Sequence, residues 1–179
     1  MKVETRKIVF AAILTALAII ITYSPVKLNL GFFTLTPGAH VPTFLAIFIG
    51  PWVAVMSVIG SVLGFFTAIP APSNLLVAIR AALHILFVFA ALKMLDKKMN
   101  VFIVVLLTAL LHAIAEGVAV YFLTPVIIPS SEQTSFVASF IALSGTFVHH
   151  FIDSAITYPI LVALSRAKLI KTPWFLLKK

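Results

Sequence analysis

Residues 75–95 read LLVAIRAALHILFVFAALKML, an apolar run interrupted only by Arg80, His84 and Lys93. At about 1.5 Å per helical residue, a run of this length spans a hydrocarbon core of about 30 Å. The stretch therefore predicts a transmembrane helix, and with it the fold class of the whole chain. Lys93 lies near its end, but Arg80 and His84 lie inside it. A guanidinium stays charged at any accessible pH, and at the centre of a membrane helix it costs roughly 2.5–3.5 kcal/mol by insertion scales. Such a residue persists where it faces partners, water or a ligand. Two later apolar segments carry polar pairs at the same spacing, His112 with Glu116 and His149 with Asp153. Residues four apart share one helix face, so three polar faces are expected to converge on a binding pocket.

Composition supports lipid as the solvent. Of 179 residues, 62% are hydrophobic and 10% charged, against about 25% charged in a soluble domain. Mean hydropathy is +1.19. Residues 1–179 read as one integral membrane domain, all-α. The net charge of +8 sits at segment ends, and no basic, aromatic-interleaved groove is present, so no nucleic-acid partner is expected. Without cysteine, disulfides, thiolate catalysis and cysteine-ligated zinc or iron–sulfur sites are excluded. The basic start (Lys2, Arg6, Lys7) and the run from Ile8 to Tyr23 imitate a signal peptide, but no small-x-small cleavage site follows. The run is read as a retained helix.

Working outward, the first helix is predicted over about Thr5 to Tyr23, with Ala12 and Ala16 four apart on a face that lets another helix approach closely. Ser24 to Ala39 holds Pro25, Gly31, Pro37 and Gly38 and reads as an irregular loop. Its apolar content (Leu28, Leu30, Phe32, Phe33, Leu35) makes it a candidate lid folded over the protein. His40 to Ile49 is a second segment, short or tilted, ended by Gly50-Pro51, and Trp52 to Ala68 is a third. Ser73 or Asn74 is expected to cap the fourth helix, and Asn74 is also assigned to the binding site. The fifth is predicted from Val101 to about Leu123. An outer loop spans Thr124 to Ser135, and the sixth helix runs from Phe136 to about Leu164, with bends at Gly145 and Pro159. With a turn at Gly50-Pro51, Lys2, Arg6, Lys7, Lys93, Lys97, Lys98, Arg166, Lys168, Lys171, Lys178 and Lys179 all fall on one side, as the positive-inside rule requires. Six segments with both termini cytoplasmic is the resulting topology. The tail places Trp174 and Phe175 among lysines, suited to the inner lipid interface.

Counting from the outer helix ends puts Arg80 and Glu116 about 8–10 Å below the outer boundary and His84 and His112 at about 14–16 Å. His149 comes at about 20 Å, Asp153 at about 25 Å, and His40 at the outer mouth. The candidate substrate-binding residues are thus Arg80, His84, Glu116, His112, His149, His40 and Asn74, in a pocket open to the outside. Alternatively Arg80 pairs with Glu116 or Asp153 in a purely structural network, and Asp153 pairs with His149 or His150. Three functional classes fit. A transition-metal uptake subunit would use the His/Glu/Asp cluster, although a fixed Arg80 beside a dication is unfavourable. A membrane-embedded metallohydrolase lacks its signature, since no His-Glu-x-x-His occurs. A binding or transport subunit for a small polar solute is the third. No Gly-x-x-x-x-Gly-Lys loop is present, so ATP hydrolysis would fall to partner subunits, and the chain is not expected to be an enzyme.

Size, the six-segment reading and the long apolar loop combine with Ala12-Ile-Leu-Thr-Ala16 and with Gly38-Ala-His-Val-Pro-Thr-Phe-Leu-Ala-Ile-Phe-Ile-Gly-Pro51. Together they resemble the substrate-binding (S) components of energy-coupling factor vitamin transporters. The His-Val-Pro form of the second stretch is most similar to niacin-type members. The resemblance implies a vitamin bound under the first loop and a bacterial plasma-membrane location. It also implies docking through Ala12 and Ala16 on a transmembrane coupling subunit that works with two ATPases. Nickel and cobalt members begin with a metal-binding histidine, whereas this chain begins Met1-Lys2-Val3. No metal ligand and no cofactor are therefore assigned. Nicotinate would place its carboxylate on Arg80 and its pyridine nitrogen on a histidine, whereas a neutral or cationic ring would use Glu116 directly.

Overall fold

The computed structural model describes residues 5–129 and 135–176. Lys2, Lys178, Lys179 and the Ser-Ser-Glu-Gln part of the outer loop lie outside the described residues. Among the described residues, seven α-helices follow in order: α1 (Thr5–Thr22), α2 (Val41–Ile47), α3 (Pro51–Ala68), α4 (Ser73–Ala82), α5 (His84–Asp96), α6 (Val101–Ile127) and α7 (Ser135–Arg166). Between α1 and α2 lies an antiparallel hairpin of β1 (Leu28–Asn29) and β2 (Thr34–Leu35). Among the described residues, five helical stretches are long and apolar enough to cross a membrane: α1, α3, α4 with α5, α6 and α7. Large apolar side chains cover their outward faces, Phe102 (81% exposed) and Phe136 (73%) among them. A surface that apolar is a lipid-facing one, and the chain is an all-α membrane protein.

The expected fourth helix is interrupted. Leu83 donates its amide to the carbonyls of both Ile79 and Arg80, a tightened turn that separates α4 from α5. Such breaks recur at functional positions, and this one falls between Arg80 and His84. The fifth helix runs on through Pro125 to Ile127, past its expected end at Leu123. The sixth runs unbroken through Gly145 and Pro159. Asn100 does cap α6, accepting from the Phe102 amide at 2.9 Å. The α4 cap is Pro72, with no side-chain cap hydrogen bond, so neither Ser73 nor Asn74 fills the expected role.

Small residues set the helix spacing. A Cβ at Gly60 would lie 2.6 Å from the Thr15 carbonyl, and one at Gly64 2.9 Å from Ile19 Cα. The α1–α3 seam therefore uses Thr15, Ala18 and Thr22, while Ala12 and Ala16 point outward and stay exposed. Seven residues of α2 cover only about 10 Å, and all seven are buried. The loop before it fills the remainder of that layer, with Phe32, Phe33, Thr34, Thr36 and Ala39 all buried. At the far end of α2, Phe48 meets Phe175 edge-to-face, with ring centres 5.8 Å apart. Arg6 donates to the Lys168 carbonyl at 2.8 Å, so the basic start of α1 and the C-terminal segment share one end of the bundle.

Of the three apolar clusters among the described residues, two flank the polar residues. One joins α1, α2, α3, α5, α6 and α7 around Val53, Phe87, Val88 and Leu161. The other packs Phe32 and Phe33 of the hairpin on Leu76, Val120, Ala138 and Ala142. The polar residues lie between them: Phe87 touches the His84 and His112 rings from one side, and Phe33 lies under Arg80 from the other.

Candidate functional site

Arg80, on the last turn of α4, reaches across to Glu116 on α6. Its Nε donates to Glu116 Oε2 at 3.1 Å, and its Nη2 donates to the same oxygen. The Thr146 hydroxyl of α7 adds a third donor to Oε2 at 2.6 Å. The second carboxylate oxygen faces two imidazoles, with His84 Nε2 at 3.2 Å and His112 Nε2 at 3.1 Å. Arg80 Nη1 also donates to the Phe32 carbonyl at 3.4 Å, and the guanidinium lies 4.9 Å from the Phe33 ring centre. The hairpin is thereby tied to α4 through the arginine. Of the two structural partners weighed for Arg80, Glu116 is the one it has.

A second carboxylate organises the loop. Asp153 of α7, fully buried, accepts the Gly38 amide at 2.7 Å on Oδ1. Its Oδ2 accepts the His40 amide at 2.9 Å and His40 Nδ1 at 2.9 Å. His149 Nε2 lies 3.0 Å from Oδ2 and 2.9 Å from the Thr36 carbonyl. Gly38 has φ +87, a conformation that favours glycine, and this turns the chain so that both amides face one carboxylate. His40 Nε2 then meets His84 Nε2 at 3.3 Å, which joins the two carboxylate-centred networks. His150 closes the inner side, with Nδ1 3.2 Å from His112 Nδ1 and Nε2 3.1 Å from Thr108 Oγ1.

Six of the seven candidate residues therefore meet in one buried cluster: Arg80, His84, Glu116, His112, His149 and His40. Asn74 does not. Its side chain donates to the Phe66 carbonyl at 3.1 Å and accepts the Leu75 amide at 2.8 Å, so it links α3 to α4 away from the cluster. His40 departs from its expected place at the outer mouth. The loop runs down into the bundle, so α2 starts at the level of His84 and Asp153 rather than at the surface. Residue counting along straight helices could not register that descent. The pocket also differs from the open one expected. The space among Thr34, His40, Arg80, His84, Glu116 and His149 is about 20 Å³, room for about one water.

The hairpin seat depends on one glycine. A Cβ at Gly145 would stand 2.5 Å from Phe33 Cζ. Gly145→Ala is expected to push the Phe33 ring out of its seat and speed proteolytic cleavage within residues 24–39 at least fivefold. An unchanged digestion rate would show that the ring tolerates the methyl group.

One curated protein resembles this chain along nearly its whole length. The niacin transporter NiaX of Lactococcus lactis subsp. cremoris (strain MG1363) is 30% identical over 175 residues, 93% of this chain and 78% of the relative. The chain belongs to the niacin-type S components of energy-coupling factor transporters. No family profile and no solved structure matches it. As a vitamin-transporter S component it is a multi-pass protein of the cell membrane with a small-molecule substrate.

Some cluster members of this S component escaped the sequence reading. Thr146 carried no signal beyond lying three residues before His149. The carbonyls of Phe32 and Thr36 belong to a loop whose path no periodicity describes. Thr108 and His112 are four apart, so a shared face was readable, but its partner His150 was not.

Proposed function

We propose that this S component captures nicotinate from outside the cell and delivers it to a coupling subunit powered by two ATPases. The observation that carries this reading is Arg80, a buried guanidinium beneath a folded-over hairpin, beside histidines able to meet a pyridine nitrogen. The relative described as a niacin transporter supports the same choice. In the closed arrangement Glu116 Oε2 occupies the fork of Arg80. A vitamin carboxylate would take that place, with a histidine of the cluster turned to the ring nitrogen. A space of about 20 Å³ is too small for a pyridine ring, so the hairpin and the Gly38 turn lift before the ligand enters and close again over it.

In this reading α2 and the descending loop complete a sixth crossing, both termini are cytoplasmic, and the chain itself performs no catalysis. Mass spectrometry of small molecules retained by the detergent-purified protein tests the cargo. Nicotinate is the expected compound, and a pyrimidine or a neutral ring in its place would move the recognition to Glu116.

The docking surface is the outward Ala12 and Ala16 face of α1. Ala12→Trp is expected to cut co-purification with the coupling subunit at least tenfold while nicotinate affinity stays within about twofold, since the side chain points away from the cluster. Undiminished co-purification would place the contact elsewhere.

A further inference from the structure

With every imidazole neutral, the groups around Glu116 Oε1 hold fewer hydrogens than the contacts among them need. Thr108 donates its hydroxyl hydrogen to the Val104 carbonyl at 2.7 Å, so toward His150 Nε2 it is an acceptor. His150 therefore carries its hydrogen on Nε2 and offers a lone pair at Nδ1. With both rings neutral, His112 Nδ1, 3.2 Å away, is then the donor, and this leaves His112 Nε2 with a lone pair facing Glu116 Oε1. His40 Nδ1 donates to Asp153 at 2.9 Å, and this leaves His40 Nε2 with a lone pair too. Three electron pairs, from His40 Nε2, His112 Nε2 and Glu116 Oε1, converge with His84 Nε2. One hydrogen on His84 serves a single one of them well.

The separations have a second meaning. His40 Nε2 to His84 Nε2 is 3.3 Å, His84 Nε2 to Glu116 Oε1 is 3.2 Å, and His112 Nε2 to Glu116 Oε1 is 3.1 Å. Ligands bonded at about 2.0–2.1 Å to one tetrahedral ion stand about 3.3 Å apart. The three imidazole nitrogens of His40, His84 and His112 lie within 4.8 Å of one another.

We propose that His40, His84 and His112 hold a resident divalent transition-metal ion of the zinc class through their Nε2 atoms, with Glu116 Oε1 at the fourth corner. A ligating histidine commonly donates its other nitrogen to a carboxylate, as His40 does to Asp153; His112 Nδ1 meets His150, and His84 Nδ1 is buried without a hydrogen-bond partner among the described residues. Phe87, fully buried, walls the site from solvent, with its ring centre 4.7 Å from that of His112. Arg80, which the sequence alone sets against a dication, pairs with the opposite oxygen of Glu116, so a carboxylate lies between the two positive charges. Four nitrogen and oxygen donors without sulfur fit zinc, cobalt or nickel rather than copper(I).

The site goes beyond the vitamin reading and stands without it. Full-length protein carrying no polyhistidine tag is purified in detergent without chelator, and its metals are quantified by plasma mass spectrometry. About one zinc-class ion per chain is expected. Protein produced with cobalt(II) should show the visible absorption bands of a tetrahedral centre. His84→Ala and His112→Ala should each lower metal content at least tenfold. Less than a tenth of an equivalent in the wild type, together with no cobalt bands, overturns the site, as does full metal retention in both variants. The wild-type measurements decide the matter even if a variant fails to fold. Nicotinate titrated into the same preparation reports separately. Metal without nicotinate binding overturns the vitamin reading alone, and nicotinate binding without metal overturns the site alone.

Discussion

Arg80→Ala is expected to weaken nicotinate binding at least about 100-fold by calorimetry, because two charge-assisted hydrogen bonds of roughly 1.5–3 kcal/mol each disappear. The same change strips Glu116 of its cationic partner inside the bundle, where an uncompensated charge costs about 3–5 kcal/mol. A single variant would therefore mix lost binding with lost stability. The double variant Arg80→Ala, Glu116→Gln separates them. Removing the orphaned carboxylate charge should recover much of the thermal stability without restoring nicotinate binding. Normal binding by the double variant would make Arg80 a purely structural partner of Glu116. Arg80→Lys keeps the charge but loses the planar fork, and an affinity between those of wild type and Arg80→Ala is expected.

The second large effect belongs to Asp153, which joins the loop to the bundle. Its two oxygens receive the Gly38 amide, the His40 amide, His40 Nδ1 and His149 Nε2. Asp153→Asn turns one acceptor into a donor that faces other donors. Hydrogen bonds to a charged group are worth about 1.5–3 kcal/mol each, so destabilisation of at least about 3 kcal/mol is expected. The loss should also be local. Hydrogen exchange in peptides covering residues 24–40 should accelerate at least tenfold, while the α1–α3 seam at Gly60 and Gly64 keeps its protection. Uniform acceleration across the chain would show that Asp153 supports the whole bundle rather than the loop.

Much of this architecture was legible before any coordinates. Apolar runs and their lengths predicted the membrane helices, because spanning hydrocarbon leaves few other ways to satisfy backbone hydrogen bonds. The pairs Arg80/His84, His112/Glu116 and His149/Asp153 were readable as inward faces because intramembrane charge is too costly to keep idle. The path of Ser24–Ala39 was not legible. A loop has no period, so nothing in its composition tells how deep it runs. Phe33 settles against Gly145, over a hundred residues away, and Gly38 and His40 share an aspartate on the last long helix. Depth counted along helices therefore misplaced His40, and Asn74, near the helix start, was assigned to a site it does not reach.

By itself the sequence determined the solvent, the helices and the polar faces, since each follows from local chemistry repeated at helical spacing. Only the tertiary structure decided which oxygen of Glu116 serves Arg80 and which faces the histidines. It alone also brought His40 to His84 and closed the space beneath the hairpin. Those outcomes depend on non-local contacts between α4, α6, α7 and the descending loop, and no spacing within a single segment encodes the distance between two others.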